Sequence, residues 1–205
     1  MQKGCLVMPR LSQVKRANVQ SDVIQQAFQR VFGDRDSSTN PGTATGTPGN
    51  WWTVMALEPG IFRLLEDRRE WLRSADRKLD PVLRELAIVR AGWARGSQFV
   101  FSQHCKVIRS LGVPEEKIEA IPAWQTSGVF TQLERLVLAY ADDLVLGSGR
   151  VTDARFDALK AQLSDVEILE LTFITCTYDM SATISRALRL EYDDRPDTIT
   201  EVPAP

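Results

Sequence analysis

The chain has 205 residues, of which 43% are hydrophobic and 25% are charged, a balance typical of soluble globular proteins. Its 25 Lys and Arg against 27 Asp and Glu give a net charge of −2, which excludes a general electrostatic hold on nucleic acid. The single histidine, His104, excludes zinc sites built on several histidines and any mechanism that needs two imidazoles. We therefore expect no metal site and no nucleic-acid partner.

Targeting signals are missing from the sequence. The apolar run within the first eight residues is too short for the core of a signal peptide, and nowhere do 18 consecutive apolar residues occur. Three cysteines are too few for a disulfide framework and are typical of a reducing compartment. The sequence thus predicts a cytoplasmic protein with no membrane partner.

The two ends of the chain differ from its middle in composition. Ser21 to Phe32 predicts a short amphipathic helix ended by Gly33, and residues 34–50, which lack large apolar side chains, predict a flexible, exposed loop. Residues 191–205 carry five acidic residues, one arginine and three prolines, which indicates a tail that could drape over a neighbouring subunit. We predict an N-terminal extension over 1–50, one helical domain over 51–190 and an acidic tail over 191–205.

Between these ends, the residues that begin and end each segment are those typical of helix termini. Asp80-Pro81 is typical of an N-cap followed by proline at the first helical position, and Ser164 to Glu167 matches a capping box. The predicted helices run from Pro59 past Leu72, from Pro81 to Gly96, from Ser97 to Leu111, from Pro114 to Ile121, from Phe130 to Leu146, from Asp153 to Leu163 and from Ser164 towards Leu190. No segment alternates with period two, so we predict an all-α helical bundle.

The helix that begins at Pro81 is apolar on two opposite sides, which is typical of a helix inside a bundle. Glu85 lies on the same stripe as Gly92 and Gly96, and these small residues would let a helix or a ligand approach the carboxylate. We expect burial to raise the pKa of Glu85. Two hypotheses stay open, a catalytic carboxylate and a structural ion pair with an arginine such as Arg84, Arg90 or Arg95.

His104 lies on the next helix, on a stripe with Ser97, Val100 and Leu111. A single histidine on an apolar face is often a core residue with its hydrogen bonds satisfied. Imidazole is nonetheless the side chain best suited to proton transfer at neutral pH.

Glu85, Ser97, Val100 and His104 match the spacing Glu-x11-Cys-x2-Cys-x3-His of one known family, with serine and valine in place of the two cysteines. The surrounding segments 83–90, 96–104 and 112–119 also resemble its core helices, and the similarity extends more weakly through residues 133–182. On these residues the chain resembles the carboxymuconolactone decarboxylase and alkylhydroperoxidase D (AhpD)-like family. The resemblance implies an AhpD-like bundle that forms homo-oligomers (dimers, trimers or hexamers).

The peroxidase members of the family use the two cysteines as a redox dithiol, whereas valine has no redox chemistry and serine cannot replace a low-pKa thiol. Dithiol-dependent peroxide reduction is therefore not expected. Cys105 projects about 100° away from His104 on an ideal helix. The cysteines have two interpretations, a redox pair of Cys105 with Cys176 or, more simply, two buried structural thiols.

The decarboxylase branch of the family lacks the dithiol. The resemblance implies a cofactor-free acid–base enzyme of decarboxylase, lyase or isomerase type acting on a small cyclic or aromatic acid. His104 would donate or accept the proton at carbon, and Glu85 would set the tautomer of His104 or relay the proton. Ser97 would hold a substrate carboxylate or enolate oxygen, although Ser97 is equally interpreted as an N-cap. The alternatives are a peroxidase-type oxidoreductase using another cysteine and a non-catalytic binding or assembly protein.

Further substrate-binding residues are predicted from neighbouring positions. Trp93 and Phe101 could wall an apolar pocket, and core packing explains them equally well. Tyr178 and Asp179 fall where many relatives have Tyr-His. Asp179 is either solvated or paired with His104.

Overall fold

A computed structural model describes residues 8–194 and 198–203 of the chain. All regular structure in these ranges is helical, which confirms the all-α prediction. The α-helices are α1 (Asp22–Phe32), α2 (Asn50–Met55), α3 (Pro59–Arg73), α4 (Pro81–Arg95), α5 (Gln98–Ser110), α6 (Glu115–Ala120), α7 (Gln132–Val145), α8 (Asp153–Lys160) and α9 (Asp165–Leu188). Short 3₁₀ helices span Arg16–Asn18 and Ile121–Thr126. Within the same ranges, no helix combines the length and the hydropathy that crossing a bilayer requires.

The chain forms two compact units. Among the described residues, the first consists of residues 8–75, 184–194 and 202–203, and the second of residues 76–183 and 198–201. The predicted boundaries at residues 50 and 190 rest on composition alone and stay predictions.

In the first unit, α1 and α2 both pack against α3. The aromatic rings of Phe28 on α1 and Phe62 on α3 meet edge to face at 6.5 Å, and both side chains are almost fully buried. α1 ends at Gly33, whose φ of 60° lies in the region that favours glycine, as the sequence predicted.

The segments predicted as loop and tail are joined within this unit. The buried Glu191 carboxylate accepts hydrogen bonds from the N–H groups of Gly49 (2.8 Å) and Trp51 (2.7 Å). The Asn50 side chain in turn accepts the N–H of Glu191 at 2.6 Å. Residues 191–193 are therefore buried rather than solvated, because an acidic side chain satisfies the N–H groups at the start of α2.

The second unit is built around α4, which packs against both α5 and α7. Residues on all sides of α4 are buried, including Leu86, Val89 and Ala91, which explains its apolar character on two sides. A buried ion pair fixes α4 to α7, with Arg90 Nη2 3.0 Å from Asp142 Oδ2, and Trp124 also donates to that oxygen. The Arg90 guanidinium donates hydrogen bonds to the Asp142 carboxylate and to the Pro122 carbonyl, so its charge is neutralised inside the unit.

Helix ends in the second unit follow local capping chemistry. Asp80 accepts the N–H groups of Val82 and Leu83 at the start of α4, as predicted. The capping box of α9 is also confirmed, since Ser164 N–H donates to Glu167 at 2.8 Å and Glu167 N–H donates to the serine hydroxyl at 3.3 Å.

Candidate functional site

The candidate site lies on α4 and α5, which are separated only by Gly96 and Ser97. Gly96 takes a left-handed conformation (φ 73°) that ends α4, and Ser97 caps α5. A Cβ atom added at Gly92 would lie 2.7 Å from the backbone nitrogen of Phe101. Glycine at this position therefore allows the first turn of α5 to lie directly against α4, as the predicted small-residue stripe indicated.

Glu85 and His104 are in direct contact. His104 Nδ1 lies 2.6 Å from Glu85 Oε2, and the two side chains are 14% and 4% exposed. The second carboxylate oxygen, Oε1, accepts a hydrogen bond from Arg84 Nε at 3.0 Å. The two hypotheses for Glu85 are thus both represented, because its carboxylate contacts an arginine and the histidine at once.

The pKa of Glu85 shifts in the direction opposite to the one expected from the sequence. Burial by itself raises the pKa of Glu85, but the charge and hydrogen bond of His104, joined by those of Arg84, bring its pKa below the ordinary 4.5. The predicted upward shift was therefore wrong, because the interactions with His104 and Arg84 outweigh desolvation. Glu85 is ionised at neutral pH and can only accept, so His104 Nδ1 must carry the shared proton.

α9 contributes an aromatic wall to the histidine. The ring of Tyr178 meets that of His104 edge to face, with centroids 4.5 Å apart and planes at 77°. With Nδ1 held by Glu85 and the ring packed against Tyr178, the imidazole is fixed in orientation. Its Nε2 is the remaining nitrogen for proton exchange.

Asp179, adjacent to Tyr178, does not pair with the histidine. Its carboxylate accepts hydrogen bonds from Arg95, with Nη2 2.8 Å from Oδ2. The same arginine nitrogen donates to the Val145 carbonyl at 3.2 Å. Both interpretations given for Asp179, a solvated carboxylate and a partner of His104, were therefore wrong. A guanidinium on α4 takes the carboxylate instead, and a role for Asp179 towards a substrate stays a prediction.

Ser97, Trp93 and Phe101 lie close to the pair in the chain. The Ser97 hydroxyl accepts the Val100 N–H at 3.1 Å and the residue is fully buried, so Ser97 is the N-cap of α5. The rings of Trp93 and Phe101 are 5.5 Å apart, and Phe101 is buried. Their predicted roles towards a substrate are not tested by these contacts.

The two described cysteines are unsuited to forming a thiolate. Cys105 is buried, and burial, reinforced by the charge of Glu201, raises its pKa to about 12. Burial and the charge of Asp179 also raise the pKa of Cys176. The expectation of two buried thiols was right for Cys105 and wrong for Cys176, which is exposed. Cys5 lies outside the described residues.

Sequence analysis left one feature of this region open and missed another. Arg84 was one of several candidate partners, because spacing alone does not show which arginine turns toward Glu85. The segment 198–201, predicted as tail, lies along α5, where Thr200 N–H donates to Gln98 at 2.9 Å and Arg109 pairs with Glu201 at 2.6 Å. In the described ranges, no three His, Cys, Asp or Glu side chains are grouped to hold a metal ion.

Comparison with known proteins gives a family match that covers this site. Residues 59–143, which contain Glu85, Ser97 and His104, match the model of the carboxymuconolactone decarboxylase family. The protein YnjA of Escherichia coli K12 is 31% identical over 147 residues, which cover 69% of this chain and 76% of YnjA.

Several solved structures share the fold. The alkylhydroperoxidase AhpD core of a peroxidase-related protein from Ralstonia eutropha JMP134 aligns over 97% of this chain and 100% of its own, at 18% identity and a TM-score of 0.73. A cysteine-to-alanine variant of the debrominase Bmp8, in complex with 2,3,4-tribromopyrrole, aligns over 92% of this chain and 91% of its own at 18% identity, with a TM-score of 0.66. The sequence match and the relative together show that this chain is a member of the carboxymuconolactone decarboxylase family, with the AhpD-like helical fold.

Proposed function

We propose that this protein is a cofactor-free acid–base enzyme that adds or removes a proton at carbon in a small cyclic or aromatic acid. Decarboxylase, lyase and isomerase reactions all contain such a step. The observation that carries the proposal is the 2.6 Å contact between His104 Nδ1 and Glu85 Oε2 inside a largely buried environment.

In the proposed mechanism each group has a distinct part. Because ionised Glu85 accepts from Nδ1, the neutral imidazole presents an unprotonated Nε2 that can take a proton from carbon. The cation then formed lies against the carboxylate, which stabilises it by direct charge. His104 would be the catalytic residue, and Glu85 and Arg84 would be positioning residues that fix the tautomer.

The substrate class rests on the aromatic surroundings and on fold-level analogy. Tyr178 lies against the imidazole, and Trp93 and Phe101 form an aromatic pair on α4 and α5. The debrominase of the same fold was crystallised with a brominated pyrrole, so this fold can hold a small aromatic ring. A planar ring carrying a carboxylate would suit such surroundings, and the analogy sets only the class of molecule.

The thiol-based alternative is less well supported. Peroxide reduction needs a thiolate at neutral pH. Cys105 has a pKa raised to about 12, and the pKa of Cys176 is also raised. Neither thiol has a hydrogen bond to His104 among the described contacts.

The test is a proton-exchange assay. A panel of small cyclic and aromatic acids is incubated with the protein in D2O, and deuterium at carbon and release of CO2 are followed by NMR. We expect His104→Gln to slow turnover by about 10²- to 10⁴-fold. We expect Glu85→Gln to lower kcat and to shift the pH–rate profile, while Glu167→Gln, an exposed carboxylate at the start of α9, serves as the control.

Two results would contradict the proposal. One is turnover that His104→Gln leaves unchanged. The other is peroxide-dependent oxidation of a thiol reductant that is lost in Cys176→Ser or Cys105→Ser, which would establish the peroxidase alternative. A thermal-shift response to a ligand that is never turned over would favour the non-catalytic alternative.

A further inference from the structure

α9 carries a stripe of apolar side chains that remain about half exposed or more in this chain. The four largest members are 53%, 68%, 51% and 46% exposed, in chain order, and the other two are a cysteine and a threonine that are also exposed. The stripe, here called the α9 seam, consists of Val166, Leu169, Phe173, Cys176, Met180 and Thr183.

The α9 seam has the spacing of a helix–helix interface. Its members follow one another at intervals of 3, 4, 3, 4 and 3 residues, which is the a/d pattern of two packed helices. The side of α9 that packs on its own chain uses other residues, such as Ile168, Leu171 and Ile174, which are buried. The seam is therefore a second apolar face, additional to the one that holds α9 in the fold.

Charges beside the seam are neutralised within the same chain. The carboxylate of Glu170 accepts the N–H groups of Lys78 and Leu79, both at 2.9 Å. Asp179 is paired with Arg95, as described above. No member of the seam is ionised, and the acidic residues beside its central part, Glu170 and Asp179, are bound by partners elsewhere in the chain, so a second apolar surface can approach there without stranding a charge.

We propose that the α9 seam binds the same seam of a second copy of this chain, with the two helices antiparallel about a twofold axis. The axis would pass between Phe173 and Cys176. The spacing is symmetric about that point, so each seam residue meets a different type in the partner. Phe173 faces Cys176, Leu169 faces Met180, and Val166 faces Thr183, which sets large side chains against smaller or flexible ones.

The antiparallel arrangement is favoured over the parallel one for two reasons. A parallel pair would set Phe173 against Phe173 and would bring the acidic first turns of both helices, with Asp165 and Glu167, side by side. Antiparallel helices separate those like charges and oppose their dipoles. An isologous contact of this kind closes into a dimer.

The exposed area is sufficient for a modest dimer. A large apolar side chain presents roughly 200 Å² when fully exposed, so the four largest seam residues alone offer on the order of 400 Å² per copy. Cys176, Thr183 and the flanking atoms bring the total for two copies to about 1,000 Å², the lower limit for a specific interface. We therefore expect dissociation in the micromolar range.

The first test measures mass in solution. Light scattering on the full chain at about 100 μM should give twice the 23.0 kDa of one copy. Leu169→Glu should raise the dissociation constant at least about 100-fold, since each dimer would bury two unpaired charges. Leu64→Glu is the matched control, because Leu64 lies on α3 and is 69% exposed against 68% for Leu169. Circular dichroism verifies that both variants fold.

The second test measures orientation by disulfide trapping in glutathione disulfide buffer, in a background that carries Cys5→Ser and Cys176→Ser. A chain with Leu169→Cys mixed with a tagged chain with Met180→Cys should give the mixed crosslinked dimer, and Leu169→Cys alone should give almost none. Crosslinking of Leu169→Cys with itself would overturn the antiparallel arrangement. A monomeric wild type at 100 μM, or a dimer that Leu169→Glu leaves unchanged, would overturn the seam as the interface.

Discussion

The buried carboxylate of Glu191 makes the stability of the first unit depend on pH, and this dependence can be measured. The carboxylate is 3% exposed and accepts two backbone N–H groups at the start of α2, those of Gly49 and Trp51. Burial raises its pKa from 4.5 to about 7, and the nearby Asp193 adds to the rise, while the two N–H groups and Thr47 oppose it. The perturbation is Glu191→Gln, which keeps the shape of the protonated acid and removes its titration.

The magnitude follows from linkage. A carboxyl whose pKa is higher in the folded than in the unfolded state stabilises the fold fully below the unfolded pKa and loses that contribution as pH rises through the folded pKa. A pKa moving from 4.5 to about 7 corresponds to about 3 kcal/mol, lost between roughly pH 4.5 and pH 7. Relative to Glu191→Gln, the wild type should therefore lose about 3 kcal/mol of unfolding free energy across this window.

Urea unfolding at several pH values between 4.5 and 7.5 gives the curve of unfolding free energy against pH for the wild type and for Glu191→Gln. Glu167→Gln is the control of opposite sign, since hydrogen bonds from Ser164 lower the pKa of Glu167 and its contribution is lost as pH falls. Parallel curves for the wild type and Glu191→Gln would show that Glu191 titrates alike in the folded and unfolded states, which is contrary to the prediction.

Three further predictions concern the second unit. Gly92→Ala should destabilise the fold by about 1–3 kcal/mol, because its Cβ would lie 2.7 Å from the α5 backbone, whereas Gly128→Ala, in open space, should change the unfolding free energy by less than about 0.5 kcal/mol in urea melts. Thr131→Ala should cost about 1 kcal/mol in the same melts, since it breaks the capping box of α7. Native Cys105 should resist a colorimetric thiol reagent at pH 8 and react only after unfolding, because it is 1% exposed with a pKa of about 12; fast reaction in the native state would contradict its burial.

Helix boundaries set by neighbouring residues could be predicted from the sequence. Asp80 before Pro81, the capping box from Ser164 to Glu167, and Gly33 after α1 act over three residues or fewer, so the pattern contains the whole interaction. α2 was missed for the opposite reason. It is six residues long, too short to show periodicity, and its first N–H groups are satisfied by Glu191, some 140 positions away.

In the candidate site, too, some contacts could be predicted from the sequence and others could not. The Glu85–His104 contact could be anticipated, because the family resemblance gave the two residues a shared part in proton transfer. The partners of Asp179 and Glu85 could not be chosen, since Arg95 is 84 positions from Asp179 and several arginines are near Glu85 in sequence. The sign of the Glu85 pKa shift depends on that choice, because burial and paired cations act in opposite directions.

The proposed mechanism requires Glu85 to fix the tautomer of His104, and the single imidazole of this chain makes that tautomer directly measurable. Nitrogen-15 NMR of histidine-labelled protein, recorded above the pKa of the imidazole, distinguishes a proton on Nδ1 from one on Nε2. We predict that Nδ1 carries the proton in the wild type and that Glu85→Gln shifts the ring toward the Nε2–H form. An Nε2–H imidazole in the wild type that is unchanged by Glu85→Gln would contradict the account.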